Sequence, residues 1–140
     1  MIESTKESAK PLQDFLKKYL TWQRLLQREE KAALSFSAQK GLLGELLFLD
    51  ECLGTMEAQN AVDAWQGPEG GDQDFIFPDS WAEIKTVALA SQTLKISSLE
   101  QLDRDVSGMI KVYILEKGQD SGNQHNLADT AKIIHEKLAL

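Results

Sequence analysis

The residues Asp74-Phe75-Ile76-Phe77-Pro78-Asp79-Ser80-Trp81-Ala82-Glu83-Ile84-Lys85 read as strand, turn, strand. Pro78-Asp79-Ser80 has the chemistry of a tight turn, and β-branched and aromatic residues flank it. Side chains alternate along a strand, so Glu83 and Lys85 share one face while Ile84 points into the opposite layer. If the two segments pair as a hairpin, Asp74 is carried beside them. Two carboxylates and an ammonium then converge, which is the minimum equipment for holding Mg²⁺ and a hydrolytic water against a phosphate. The plainer alternative is a surface hairpin with a Glu-Lys pair.

The surrounding sequence predicts αβββαβα order from the second helix onward. Residues 1–10 are polar and read as a frayed N-terminal segment. Pro11 suits a first helical turn, and an apolar stripe from Leu12 through Leu26 predicts a helix over 11–36. Ser37 is placed to cap a second helix, ended by Gly54, that opens a core domain over 37–140. A third short helix is expected from Thr55 to Trp65, then a loop over 66–71. Strands are expected at 73–77, 81–88, 93–97 and 109–115. Ser98-Leu99-Glu100-Gln101 has capping-box spacing and predicts a helix over 98–105. Leu127, Ala131, Ile134 and Leu138 mark one stripe of a last helix. The expected fold is therefore α/β, a mixed four-stranded sheet flanked by helices, with an extra N-terminal helix.

Composition narrows the function classes. A 140-residue chain with 42% hydrophobic and 26% charged residues is expected to be one soluble domain with one substantial core. The single cysteine, Cys52, excludes an internal disulfide framework and a cysteine-rich zinc site. No stretch approaches membrane-spanning length and the N-terminus shows no apolar signal region, so a cytoplasmic location without membrane association is expected. Fifteen basic against 22 acidic residues give a net charge of −7, unlike proteins that grip nucleic acid unaided. The first forty residues carry eight Lys/Arg and five Asp/Glu, or +3, and the remainder seven and 17, or −10. This imbalance points to partner subunits or a missing segment supplying part of any grip on nucleic acid.

The order and the residues resemble the restriction-endonuclease-like PD-(D/E)XK superfamily, whose common core is αβββαβ. The resemblance is carried by Gly41-Leu42-Leu43-Gly44-Glu45, Trp65-Gln66-Gly67-Pro68, Asp74-Phe75, Glu83-Ile84-Lys85-Thr86 and Ile96-Ser97-Ser98-Leu99-Glu100-Gln101-Leu102. These look like the bacterial PD-(D/E)XK-motif proteins of phage defence, over roughly residues 38–138. Gln73 stands where the superfamily name has proline, and Asp105 where some relatives carry a tyrosine. The resemblance implies a Mg²⁺-dependent deoxyribonuclease, with Mn²⁺ as an alternative, cutting DNA alongside helicase or ATPase subunits. Asp74, Glu83 and the Ile84 carbonyl would bind metal, with Glu45 joining directly or through water. Lys85 would act on the attacking water or the anionic transition state, and Gln101 would reach the site from its helix.

Each candidate has a structural counterpart. Glu45 could instead turn to solvent, and Gln101, Ser97 and Ser98 could simply cap a helix. Gly41 and Gly44 fit close helix–sheet approach. Thr86 could touch DNA or merely suit a strand. Asp72 reads as a turn residue, Trp65 as a lock on its loop, Trp81 as edge-strand packing and Cys52 as a core thiol. His125 and His135 are too isolated to pair on a metal. Two other function classes compete: a catalytically inactive nucleic-acid-binding or scaffolding subunit of the same fold, and a structural protein whose N-terminal helix forms a homodimer or partner interface.

Overall fold

The computed structural model describes residues 2–28, 32–69, 72–87, 106–115 and 126–140. Helices α1 (Ile2–Arg28), α2 (Ala32–Leu53) and α3 (Ala58–Ala64) precede a 3₁₀ turn at Gly67–Glu69. Strands β1 (Phe75–Ile76), β2 (Trp81–Val87) and β3 (Gly108–Ile114) follow, and helix α4 (Leu127–Leu138) comes last.

Helix α2 is apolar nearly all round, the mark of a helix surrounded by protein. It touches α1, α3, α4 and β2. Leu42, Leu46 and Leu49 are fully buried in a core shared with Phe15, Val62, Trp65, Phe75, Ala82 and Ile134. Phe48 meets Phe75 edge to face, with ring centroids 4.8 Å apart. Ala131, Ile134 and Leu138 bring the α4 stripe into the same core, and Asn126 caps that helix by accepting from the Asp129 N–H.

The described sheet is mixed and three-stranded, in the order β1-β2-β3. β1 pairs antiparallel with β2, and β2 pairs parallel with β3, Glu83 opposite Ile110 and Lys85 opposite Val112. Among the described residues the expected four-stranded sheet is not seen. Its strand at 93–97 and the helix at 98–105 lie outside the described residues. In the described sheet β2 lies between β1 and β3, so β2 is central and Trp81 is not on an edge. Beyond β1, Trp65 forms an isolated antiparallel bridge with Phe75, and the Gln66 N–H donates to the Asp74 carbonyl at 2.9 Å.

Several boundaries differ from the sequence reading. α1 begins at Ile2, so the segment read as frayed is helical and Pro11 lies inside the helix. Glu, Lys and Ala on the N-terminal side of the proline are good helix formers, and only one backbone bond is lost there. α2 begins at Ala32, which puts Ser37 within it instead of at its cap. The helix-forming run Ala32-Ala33-Leu34 outweighs a capping preference of about 1 kcal/mol. α3 starts after Glu57 instead of at Thr55, and Trp65 leaves it in an extended conformation that begins the bridge to Phe75. Gly67 adopts φ 69°, the left-handed geometry that glycine tolerates best.

Candidate active site

β1 is only two residues long, so its ladder stops at Phe75. The Asp74 carboxylate takes over where the ladder ends: its Oδ2 accepts the Ile84 N–H at 2.8 Å. This bond ties the first acid to the backbone between Glu83 and Lys85. On β2, Glu83 is buried, and its Oε1 lies 3.4 Å from the Lys85 Nζ. Ile84, facing the other way, is buried in the core against Gly44.

Glu45 follows Gly44 in α2. It is 6% exposed, which rules out the solvent-facing alternative. Its Oε1 accepts the indole N–H of Trp65 at 2.9 Å. Nothing in the Trp65-Gln66-Gly67-Pro68 stretch beyond the tryptophan itself signalled this bond, because it joins residues twenty positions apart. Lys18 was likewise not singled out from the sequence. Its ammonium donates to the carbonyls of Val62, at 2.7 Å, and of Trp65, and so closes the end of α3 from α1.

The three acids share one electrostatic environment. Burial pushes Glu45 well above the ordinary carboxylate range, and the charges of Asp74 and Glu83 add to this while the Trp65 donor opposes it. Burial also raises Asp74, against the Ile84 N–H and the Lys85 charge. Glu83 is pushed up to about 7, first by burial and then by Asp74, with Lys85 opposing. Such a cluster holds more negative charge than its surroundings stabilise, and perturbed carboxyls of this kind concentrate at functional sites.

Among the described residues, no three His, Cys, Asp or Glu side chains form a ready metal cage. Mg²⁺ does not require one, since it is commonly held by one or two carboxylates together with waters and substrate phosphates. The hard oxygen donors of Asp74 and Glu83, whose charges also bear on Glu45, fit such a cation on chemical grounds.

The remaining candidates separate clearly. Gln101, Ser97, Ser98 and His125 lie outside the described residues, and His135 is exposed on α4. Asp72 is exposed in a bend, and Thr86 packs against Gly44. Among the described residues, no atom outside its own turn of helix lies within 4 Å of a Cβ built on Gly41, so no close approach is seen there. Cys52 is buried and its thiol is pushed up to about 11 by burial, which leaves it inert near neutral pH. Trp81 is buried, stacks over Gly108 and donates to the Val106 carbonyl at 2.9 Å. A cavity of about 480 Å³ lies elsewhere, lined by Phe48, Cys52, Met56, Phe77 and Met109, and none of the clustered acids borders it. Among the described residues, no helix is long and apolar enough to cross a membrane.

No curated protein and no solved structure matches the chain. A family model does match, over residues 1–140, and the chain belongs to the family it describes, "Putative PD-(D/E)XK family member (DUF4420)".

Proposed function

We propose that this domain is a metal-dependent nuclease that hydrolyses phosphodiester bonds in DNA. The observation that carries this reading is the Asp74–Ile84 bond, which holds the first acid against the Glu83-x-Lys85 strand. Membership of a PD-(D/E)XK family supports it. Asp74, Glu83 and the Ile84 carbonyl would hold Mg²⁺ or Mn²⁺, with Glu45 joining directly or through water. When bound, the ion supplies positive charge to the phosphate and a more acidic water.

The chain's own groups do the rest. Lys85 is only 18% exposed and sits beside Glu83, so its ammonium is held toward the acids. There it orients the attacking water or neutralises charge developing on the phosphate. Asp74 and Glu83 are fixed by the sheet, which limits their reorganisation during reaction. Gln101, outside the described residues, would add a supporting contact to the phosphate if the family pattern holds. Val112 and Ile114 lie on the same face as Glu83 and Lys85 and are exposed, leaving a surface beside the acids for a substrate. A cytoplasmic role in bacterial restriction or phage defence, beside helicase or ATPase subunits, extends this reading through the family.

The net charge of −7 favours a second reading, a non-cutting subunit of a DNA-binding complex. Calorimetric titration with Mn²⁺ and Mg²⁺, paired with plasmid cleavage, separates the two. Asp74→Asn/Glu83→Gln should lose both metal binding and cleavage. Wild-type protein that binds neither metal, even with DNA present, would remove the catalytic reading.

A further inference from the structure

We propose that Trp65 is a positioning residue for the cation site, acting through Glu45; this rests on the nuclease reading above. Trp65 is fully buried, and its indole N–H meets a carboxylate that is itself nearly inaccessible. A buried carboxylate needs a donor or a cation, and a donor on one oxygen fixes the direction of the other. The backbone on either side of the next peptide bond reaches the start of the hairpin. Trp65 bridges Phe75, and the next N–H, that of Gln66, donates to the carbonyl of Asp74. Trp65 and Gln66 together thereby register an acid on α2 against the acid that precedes β1.

This register is clamped from outside the sheet. Lys18 of α1 binds the carbonyl oxygens of Val62 and Trp65, closing the end of α3 at the point where the chain turns into the bridge. The ring of Trp65 packs against Phe15 of the same helix, centroids 5.8 Å apart. A tryptophan needed only for bulk would require the ring and not the N–H. The inference therefore concerns one donor atom, Nε1, and phenylalanine separates it from the ring's packing.

The test is Mn²⁺ affinity by calorimetry on the DNA-free chain, with plasmid cleavage measured in parallel. Trp65→Phe should weaken Mn²⁺ binding about tenfold, the lower end of what loss of an orienting partner does to metal sites. Trp65→Phe/Glu45→Gln should bind no more weakly than Glu45→Gln alone, because both changes break the same link. Saturating Mn²⁺ should then restore cleavage by Trp65→Phe. If Trp65→Phe fails to fold, β-(3-benzothienyl)alanine at position 65 keeps the shape and removes only the donor. Unchanged Mn²⁺ affinity in a folded variant, with wild type cutting DNA, overturns the positioning role and leaves the nuclease standing. Weakened, Glu45-linked affinity with no cleavage by any form upholds the positioning role and favours the non-cutting subunit as its setting. Wild-type chain that takes up no Mn²⁺, with DNA present as well as without it, overturns both.

Discussion

Gly44 of α2 lies so close to Thr86 of β2 that a Cβ added to the glycine would overlap the threonine Cγ2. The Cγ2 of Ile84 would stand 3.3 Å away. Both neighbours are β-branched and stiff, so neither yields easily. Gly44→Ala should gain up to about 1 kcal/mol of helix propensity yet lose about 1–3 kcal/mol to overpacking. The expected net result is a lower urea midpoint. Thr86→Ser removes the obstructing methyl, so Gly44→Ala/Thr86→Ser should recover most of that loss. A single variant as stable as wild type would show that α2 and β2 tolerate separation.

Asp74 combines a structural bond with an unfavourable charge, and two substitutions divide them. Asp74→Asn keeps an acceptor for the Ile84 N–H and removes repulsion with Glu83 and Glu45. Asp74→Ala removes both and leaves a half-buried N–H without its partner, at a cost of about 1–3 kcal/mol. In chelator at pH 8, Asp74→Asn should equal or exceed wild type in stability, with Asp74→Ala clearly below Asp74→Asn. Equal denaturation midpoints for the two variants would mean that the bond contributes nothing.

The acid cluster sets the sign of the pH dependence. A carboxyl with a folded-state pKa above its unfolded value binds its proton more tightly in the native protein. Its contribution is fully present below the unfolded value of 4.5 and is lost as pH rises through about 7 for Glu83. Glu45 and Asp74, both raised, act in the same direction. Metal-free protein should therefore be more stable at pH 5 than at pH 8, and Glu83→Gln should flatten that slope. Thermal melts in chelator across this range check it, and stability that rises from pH 5 to pH 8 would contradict the assignment.

Lys18→Met should destabilise the fold by about 1–3 kcal/mol, because it leaves the carbonyls of Val62 and Trp65 without their shared donor. Methionine preserves the apolar stem, so lost packing does not account for the change. Hydrogen exchange should rise first at the end of α3 and at Gln66, whose N–H closes on Asp74. Exchange confined to α1 instead would place the clamp's effect elsewhere.

The motif-bearing elements were legible because their signals are local. The turn chemistry of Pro78-Asp79-Ser80 and the alternation around Glu83 located the hairpin, and the stripe through Ile134 located α4. The start of α2 was misplaced at Ser37, since a cap and an internal serine look alike without the neighbouring turns. The strand expected at 93–97 lies outside the described residues, and the described sheet has three strands. Which strand is central is a long-range pairing, so Trp81 could be assigned to an edge by sequence and to the middle by structure.

By itself the sequence determined the nearest-neighbour geometry of the candidate site: a strand's two-residue period places Glu83 and Lys85 on one face whatever the rest of the chain does. Only the tertiary structure decided that Glu45 turns inward, that Trp65 meets it across twenty positions, and that Lys18 seals the end of α3. Those relationships depend on how helices rotate and pack around the sheet, and many packings are compatible with one local pattern. The acids become a shared electrostatic site only once that packing has removed them together from water.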